Sequence, residues 1–304
     1  MKLSRRTFFK VNAVGAAALA TAPAVEAASV AASPHARGVL VDTTRCVGCR
    51  ACEAACSEAN HNAEPVSLGD ERVFDARRDT DQRTFTVVNR ARTAGTQPVR
   101  FVKSQCMHCI DPACVSACPA RALEKSADGP VTYTGSRCLG CRYCMVACPF
   151  DVPKFEYDKA VPYVKKCTFC AERQANGGMP ACAEVCPSGA LQFGSRAELL
   201  EEAKSRIYQN PGKYVRHVYG EHEAGGTSWL YITDVPFETL GLHTGLRTDP
   251  YPALTGTALS AVPVVMTLWP PLLMGLYTFS RRRDDATTNH TPDAGTTTKE
   301  DRHA

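Results

Sequence analysis

The chain has 304 residues, of which 44% are hydrophobic and 22% charged, with a formal net charge of +4. That length suits one large domain or two small ones, and the apolar content with charges of both signs excludes a disordered chain. Lys2, Arg5, Arg6 and Lys10 against Glu26 account for three of the four net positive charges, so the body is close to neutral and no basic footprint for nucleic acid exists.

In chain order, the first segment is "MKLSRRTFFKVNAVGAAALATAPAVEAAS". A basic start, a mildly apolar alanine-rich stretch and Val25-Glu26-Ala27 before Ala28 read as a secretory signal over 1–27, too weakly apolar to span a bilayer. Ser4-Arg5-Arg6-Thr7-Phe8-Phe9-Lys10 resembles the twin-arginine export signal nearly position for position. Residues 28–250 hold all sixteen cysteines. Within the 60–100 insertion and just after it, "RTFTVVNR" and "VRFVKSQC" read as paired strands. No charge occurs between Asp249 and Arg281, and 257–279 gives 23 largely apolar positions, long enough to cross a bilayer core despite Pro263, Pro270 and Pro271. Arg281, Arg282 and Arg283 mark the cytoplasmic side, which puts 28–250 on the outer face of the inner membrane, the side the export signal also demands. The Thr-rich remainder, 280–304, reads as a disordered cytoplasmic tail.

The cysteines form four groups of four, with none left over. They are Cys46, Cys49, Cys52 and Cys56; Cys106, Cys109, Cys114 and Cys118; Cys138, Cys141, Cys144 and Cys148; and Cys167, Cys170, Cys182 and Cys186. Pro119, Pro149 and Pro187 follow three of the groups, and Ser57 stands in that place after the first. "RCVGCRAC" and "RCLGCRYC" make the first and third groups an internal repeat. C-x2-C-x2-C-x3-C-P is an iron–sulfur run. Three thiolates on a tight loop grip three corners of a cubic cluster, and inward amides donate to sulfur. The fourth is expected to begin a helix leading to the other cluster, with proline at its first helical position.

Disulfides are natural in an exported protein, but they do not require repeated x2 triplets. Structural zinc in an adaptor without redox role needs two pairs, not a triplet with Cys-Pro. No C-x2-C precedes a histidine, which excludes c-type haem, and His108, between two ligands, reads as a supporting or surface residue. Clusters form on reduced thiolates, so the chain must fold around its metal before export. Arg45, Arg50, Arg137, Arg142, Lys103, Lys165 and Lys166 lie near the thiols and could offset cluster charge or merely be solvated.

Four such motifs in this order resemble the iron–sulfur subunit of membrane-associated respiratory oxidoreductases, which serves formate dehydrogenases, dimethyl sulfoxide and polysulfide reductases and uptake hydrogenases. The resemblance covers about 38–245 and implies an α+β fold of two ferredoxin-like dicluster modules, four [4Fe–4S] clusters in all, with one C-terminal transmembrane helix. It implies ligand exchange between motifs. One cluster takes Cys46, Cys49, Cys52 and Cys186, and its pair takes Cys167, Cys170, Cys182 and Cys56. The inner two take Cys106, Cys109, Cys114 with Cys148, and Cys138, Cys141, Cys144 with Cys118. "QCMHCIDPACVSACP", "RCLGCRYCMVACPFDVPKFEYD" and "YGEHEAGGTSWLYITDVPFETLGL" are most similar to the hydrogenase-2 type branch. That implies an electron-transfer subunit between periplasmic [NiFe] hydrogenase subunits, large and small, and a quinone-reactive membrane subunit. The alternative is the beta subunit of a membrane-bound formate dehydrogenase or related molybdopterin enzyme. No dinucleotide or phosphate loop and no hydrolytic constellation is present, so no catalytic site of its own is expected.

Overall fold

The computed structural model describes residues 33–91 and 98–288. The expected signal at 1–27 and the last sixteen positions of the expected tail lie outside them. The elements are β1 (Arg37–Asp42), α1 (Ala51–Ala59), β2 (Thr86–Arg90), β3 (Phe101–Gln105), α2 (Ala113–Ser116), β4 (Leu123–Lys125), β5 (Val131–Tyr133), α3 (Tyr143–Ala147), β6 (Lys154–Phe155), β7 (Val164–Lys165), α4 (Ala171–Ala175), α5 (Ala181–Glu184), β8 (Leu191–Ser195), α6 (Arg196–Gln209), β9 (Trp229–Ile232) and α7 (Tyr251–Thr288). This is the mixed helix and strand content expected. Two compact units divide the chain, and 27–255 forms the one that carries every cysteine.

Its frame is a three-stranded sheet in the order β8-β1-β9. β1 runs antiparallel to β8, Val39 opposite Phe193, and parallel to β9, Val39 opposite Trp229. The sequence "RGVLVD" suits the centre because alternate side chains point to opposite faces and both faces are covered. Val39 and Val41 join Trp229, Tyr231, Phe169, Cys109 and Cys182 on one face. Leu40 turns to the other and packs with Leu199 and Ala203 of α6.

The two halves of the unit are nested. The first and fourth cysteine groups meet at the outside, where α1 packs on α5 and β1 pairs with β8. The second and third meet inside, where α2 packs on α3. The expected paired strands are present as β2 and β3, antiparallel and in register from Thr86 opposite Gln105 to Arg90 opposite Phe101. β4 with β5 and β6 with β7 form two further antiparallel pairs.

α7, taken by itself, is a helix of 38 residues that contains the expected span 257–279. Among the described residues no helix is long and apolar enough to cross a membrane. The side chains of 255–260, 263 and 284–288 within α7 are outside that description. Met266, Trp269, Leu272 and Phe279 of α7 are exposed. α7 continues to Thr288 and so takes in the first residues of the expected tail at 280–304, the rest of which lies outside the described residues. No glycine or proline interrupts 280–288, and the first proline comes at 292.

Candidate metal centres

Each cysteine group opens on the same backbone device. The residue two places after the first cysteine is left-handed in all four: Gly48 (φ 72°), His108 (φ 47°), Gly140 (φ 68°) and Phe169 (φ 57°). This turn aims amides back at sulfur. The Gly140 and Phe169 N–H groups donate to the Sγ of Cys138 and Cys167, each at 3.4 Å. The Gly48 N–H does the same for Cys46. Glycine adopts this conformation freely, while His108 and Phe169 are held in it by packing. Their rings stack at 4.9 Å, and both are buried. His108 is therefore not a surface residue. Its Nδ1 accepts the Val131 N–H at 2.9 Å, and burial, then Lys166, Lys125 and Lys103, keeps it neutral.

The fourth cysteine does not begin a helix, contrary to expectation. Cys118, Cys148 and Cys186 follow the ends of α2, α3 and α5. Each opens a turn closed by the N–H three residues on, Arg121, Asp151 or Gly189, donating to the cysteine carbonyl. Proline occupies the second place of that turn, where its fixed φ is favourable. Strands β4, β6 and β8 follow. Where Ser57 replaces proline, α1 continues to Ala59, and Asn60 Nδ2 donates to the Cys56 carbonyl at 2.8 Å.

None of the sixteen cysteines is joined to another by a disulfide. Cys56, Cys106, Cys109, Cys114, Cys144, Cys167 and Cys182 are buried, while Cys49 and Cys141 are exposed. Thiols from different groups come together. One cavity is lined by Cys46, Cys49, Cys52 and Cys186 with Lys103. Burial pushes the Cys56 thiol up to about 12, with Cys182 and Cys170 adding to the rise and Lys103 opposing it. Burial, then Cys148, Cys106 and Cys114, raises Cys109 well above its usual range. Burial raises Cys144 to about 11, followed by Cys118, Cys138 and Cys141. Cys167 feels both Cys56 and Cys106, so the outer and inner sets adjoin. Among the described residues no three His, Cys, Asp or Glu side chains gather tightly enough to hold a single metal ion. A four-iron cube holds its thiolates at separate corners, a wider spacing than the ~2.3 Å sulfur shell of one zinc ion.

The seven basic residues near the thiols separate into two kinds. Arg45, Arg137 and Arg142 are exposed, and Lys165 is half-buried, so these four remain at the surface. Arg50, Lys103 and Lys166 are buried. Arg50 is spent on protein: it pairs with Glu53 at 3.2 Å and donates to the Val66 and Ser67 carbonyls. Lys166 donates to the Val131 and Cys167 carbonyls. The sequence reading missed Lys125, which donates to the carbonyls of His108 (3.1 Å) and Gly129 (2.6 Å) and which burial pulls down to about 8. Only its place on β4, seven residues past Cys118, could have signalled it.

Two models described as 4Fe–4S dicluster domain match the chain, over 38–119 and 97–196. The chain is 48% identical to a protein of Nitratidesulfovibrio vulgaris Hildenborough over 93% of this chain and 78% of that protein. It is 37% identical to the hydrogenase-2 operon protein HybA of Escherichia coli O157:H7, over 81% of this chain and 88% of HybA. It belongs to the 4Fe–4S dicluster subunits of respiratory oxidoreductases. A further member, the iron–sulfur subunit of the nitrate-inducible formate dehydrogenase of Escherichia coli K12, is 37% identical over 69% of this chain and 72% of its own. Two dicluster domains mean four [4Fe–4S] clusters and a role in electron transfer. The residues present fit that group: sixteen thiols in four loops, amides aimed at sulfur, and apolar walls of Val41, Val88 and Leu191 beside one set.

Proposed function

We propose that this chain relays electrons from a periplasmic [NiFe] hydrogenase to a quinone-reactive membrane subunit. Each cluster, when bound, takes up and releases one electron. The chain's residues hold the four groups in fixed relation and keep water from all but the edges. The proposed ligand sets are Cys46, Cys49, Cys52 with Cys186; Cys167, Cys170, Cys182 with Cys56; Cys106, Cys109, Cys114 with Cys148; and Cys138, Cys141, Cys144 with Cys118. The cross-group neighbours described above support them. Cys49 and Cys141 are the exposed thiols, with Val47, Leu139, Tyr143 and Val146 exposed around them. These are the surfaces where electrons enter and leave.

The extent of the match favours the hydrogenase partner. At equal identity of 37%, HybA matches 81% of the chain and the formate dehydrogenase subunit 69%. Formate dehydrogenase is the second reading, supported by that same subunit. Export by the twin-arginine route and anchoring by the 257–279 segment of α7, with the cysteine-bearing unit in the periplasm, complete the proposal. The exposed apolar side chains of α7 support the anchor. The experiment is reduction of the clusters in native membranes, followed by their visible absorbance. Hydrogen is expected to bleach them and formate to leave them unchanged. Bleaching by formate alone transfers the assignment to the second reading.

A further inference from the structure

We propose that Lys103 is a built-in counter-ion shared by the outer pair of cluster sites, and that it holds the reduction potentials of those two sites above what their thiolates alone would set. The observation is a buried cation with too few partners. Lys103 lies on β3 and is 3% exposed. An ammonium carries three donors. Among the described residues one acceptor meets them, Gln105 Oε1 at 3.0 Å, and the Trp229 ring lies 4.5 Å away. Lys125 and Lys166, near the inner sets, each have two carbonyls. Burying an ammonium with so little compensation is costly unless negative charge lies close.

That charge comes from the thiols. Lys103 lines the cavity of Cys46, Cys49, Cys52 and Cys186. Cys182, Cys52, Cys167 and Cys56 all lie within electrostatic reach of the ammonium, and Trp229, 4.5 Å from it, packs in one core cluster with Cys182. Three of those four belong to the other set of the same outer pair. One ammonium thus stands between two anionic sites. A fixed positive charge favours the more negative, reduced state of each. Its position is itself held: Gln105 Nε2 donates to Tyr231 Oη at 2.7 Å, and Tyr231 Oη donates back to the Lys103 carbonyl at 2.9 Å.

The proposal rests on the four-cluster reading, and its test separates the two. The full chain is purified anaerobically with its clusters, its iron and acid-labile sulfide are counted, and the clusters are titrated by potentiometry with electron paramagnetic resonance. In Lys103→Met, two of the four centres are expected to move to lower potential, by a tenfold change in their oxidised-to-reduced ratio, about 59 mV for one electron. Lys103→Arg restores them. Gln105→Glu sets a carboxylate against the ammonium without removing it, and lowers the same two centres. That second variant carries the test if Lys103→Met loses metal. A wild-type chain without iron and sulfide fails the cluster reading. Full metal content with all four potentials unchanged in Lys103→Met, or in Gln105→Glu where Lys103→Met loses metal, overturns the role of Lys103. A uniform shift of all four overturns its assignment to the outer pair.

Discussion

Arg50 and Arg142 hold the same place in the two repeats, each left-handed at the entrance to a helix, yet they end in opposite surroundings. Arg50 is enclosed by Glu53, Val66 and Ser67, whereas Arg142 is exposed and lies over the rings of Phe155 and Tyr157 at 5.7 and 5.6 Å. Glu53, 3% exposed, also binds Arg78 and accepts the Val88 N–H. Removing Arg50 strands part of that buried charge. Arg50→Ala is expected to cost about 3 kcal/mol and Arg142→Ala no more than about 1 kcal/mol, read from denaturant midpoints of the loaded chain. "RCVGCRAC" and "RCLGCRYC" did not distinguish these fates, because the Glu53 and Arg78 that enclose one arginine lie outside the shared stretch. Burial of Lys103 was equally hidden: Gln105 is its neighbour two places along β3, but Trp229 comes from β9 of the separate three-stranded sheet and packs against it without pairing.

At the scale of the element, the loop before each second cysteine depends on a left-handed residue. Gly48→Ala and Gly140→Ala both incur about 1–2 kcal/mol for that conformation. They differ in space. A Cβ at Gly48 would stand 2.7 Å from the Phe101 ring, while one at Gly140 would meet only Phe155 at 3.7 Å. Gly140→Ala is expected to keep its full iron content and Gly48→Ala to lose iron, measured by metal analysis on purified protein. The paired strands β2 and β3 were legible from their β-branched runs. The turn opened by Cys118, Cys148 and Cys186 was not, because Cys-Pro suits a first helical turn as well as the second place of a β-turn. The carbonyl-to-amide closure from Cys118 to Arg121, Cys148 to Asp151 and Cys186 to Gly189 decides between them.

Across the whole molecule, metal and protons compete for the same sulfur. Burial raises Cys56 and Cys114 to about 12 and Cys144 and Cys148 to about 11 in the metal-free fold. An unfolded thiol titrates near 8.5. Above that value the unfolded chain releases protons that the metal-free fold retains, so the metal-free fold loses stability as pH rises from about 8.5 towards 12. The loaded fold binds thiolates, and its unfolding takes up protons below about 8.5, so its stability rises with pH up to that point. Thermal melts of the two forms are expected to show these opposite slopes. The proposed ligand exchange makes a second prediction: Cys186→Ser is expected to remove about a quarter of the iron, although Cys186 lies far along the chain from the first group. The four groups and their membership were legible from spacing alone. That the first meets the fourth depends on β1 pairing with β8, which no local pattern encodes.

That pairing also has a cost in time. β1 leaves the ribosome about 150 residues ahead of β8, and β9 comes later still. At roughly 5–20 residues per second, the wait is about 8–30 s. Throughout it, Val39, Leu40 and Val41 form an apolar ribbon with both edges open. Until β8 and β9 arrive, this one short segment is open to off-pathway pairing.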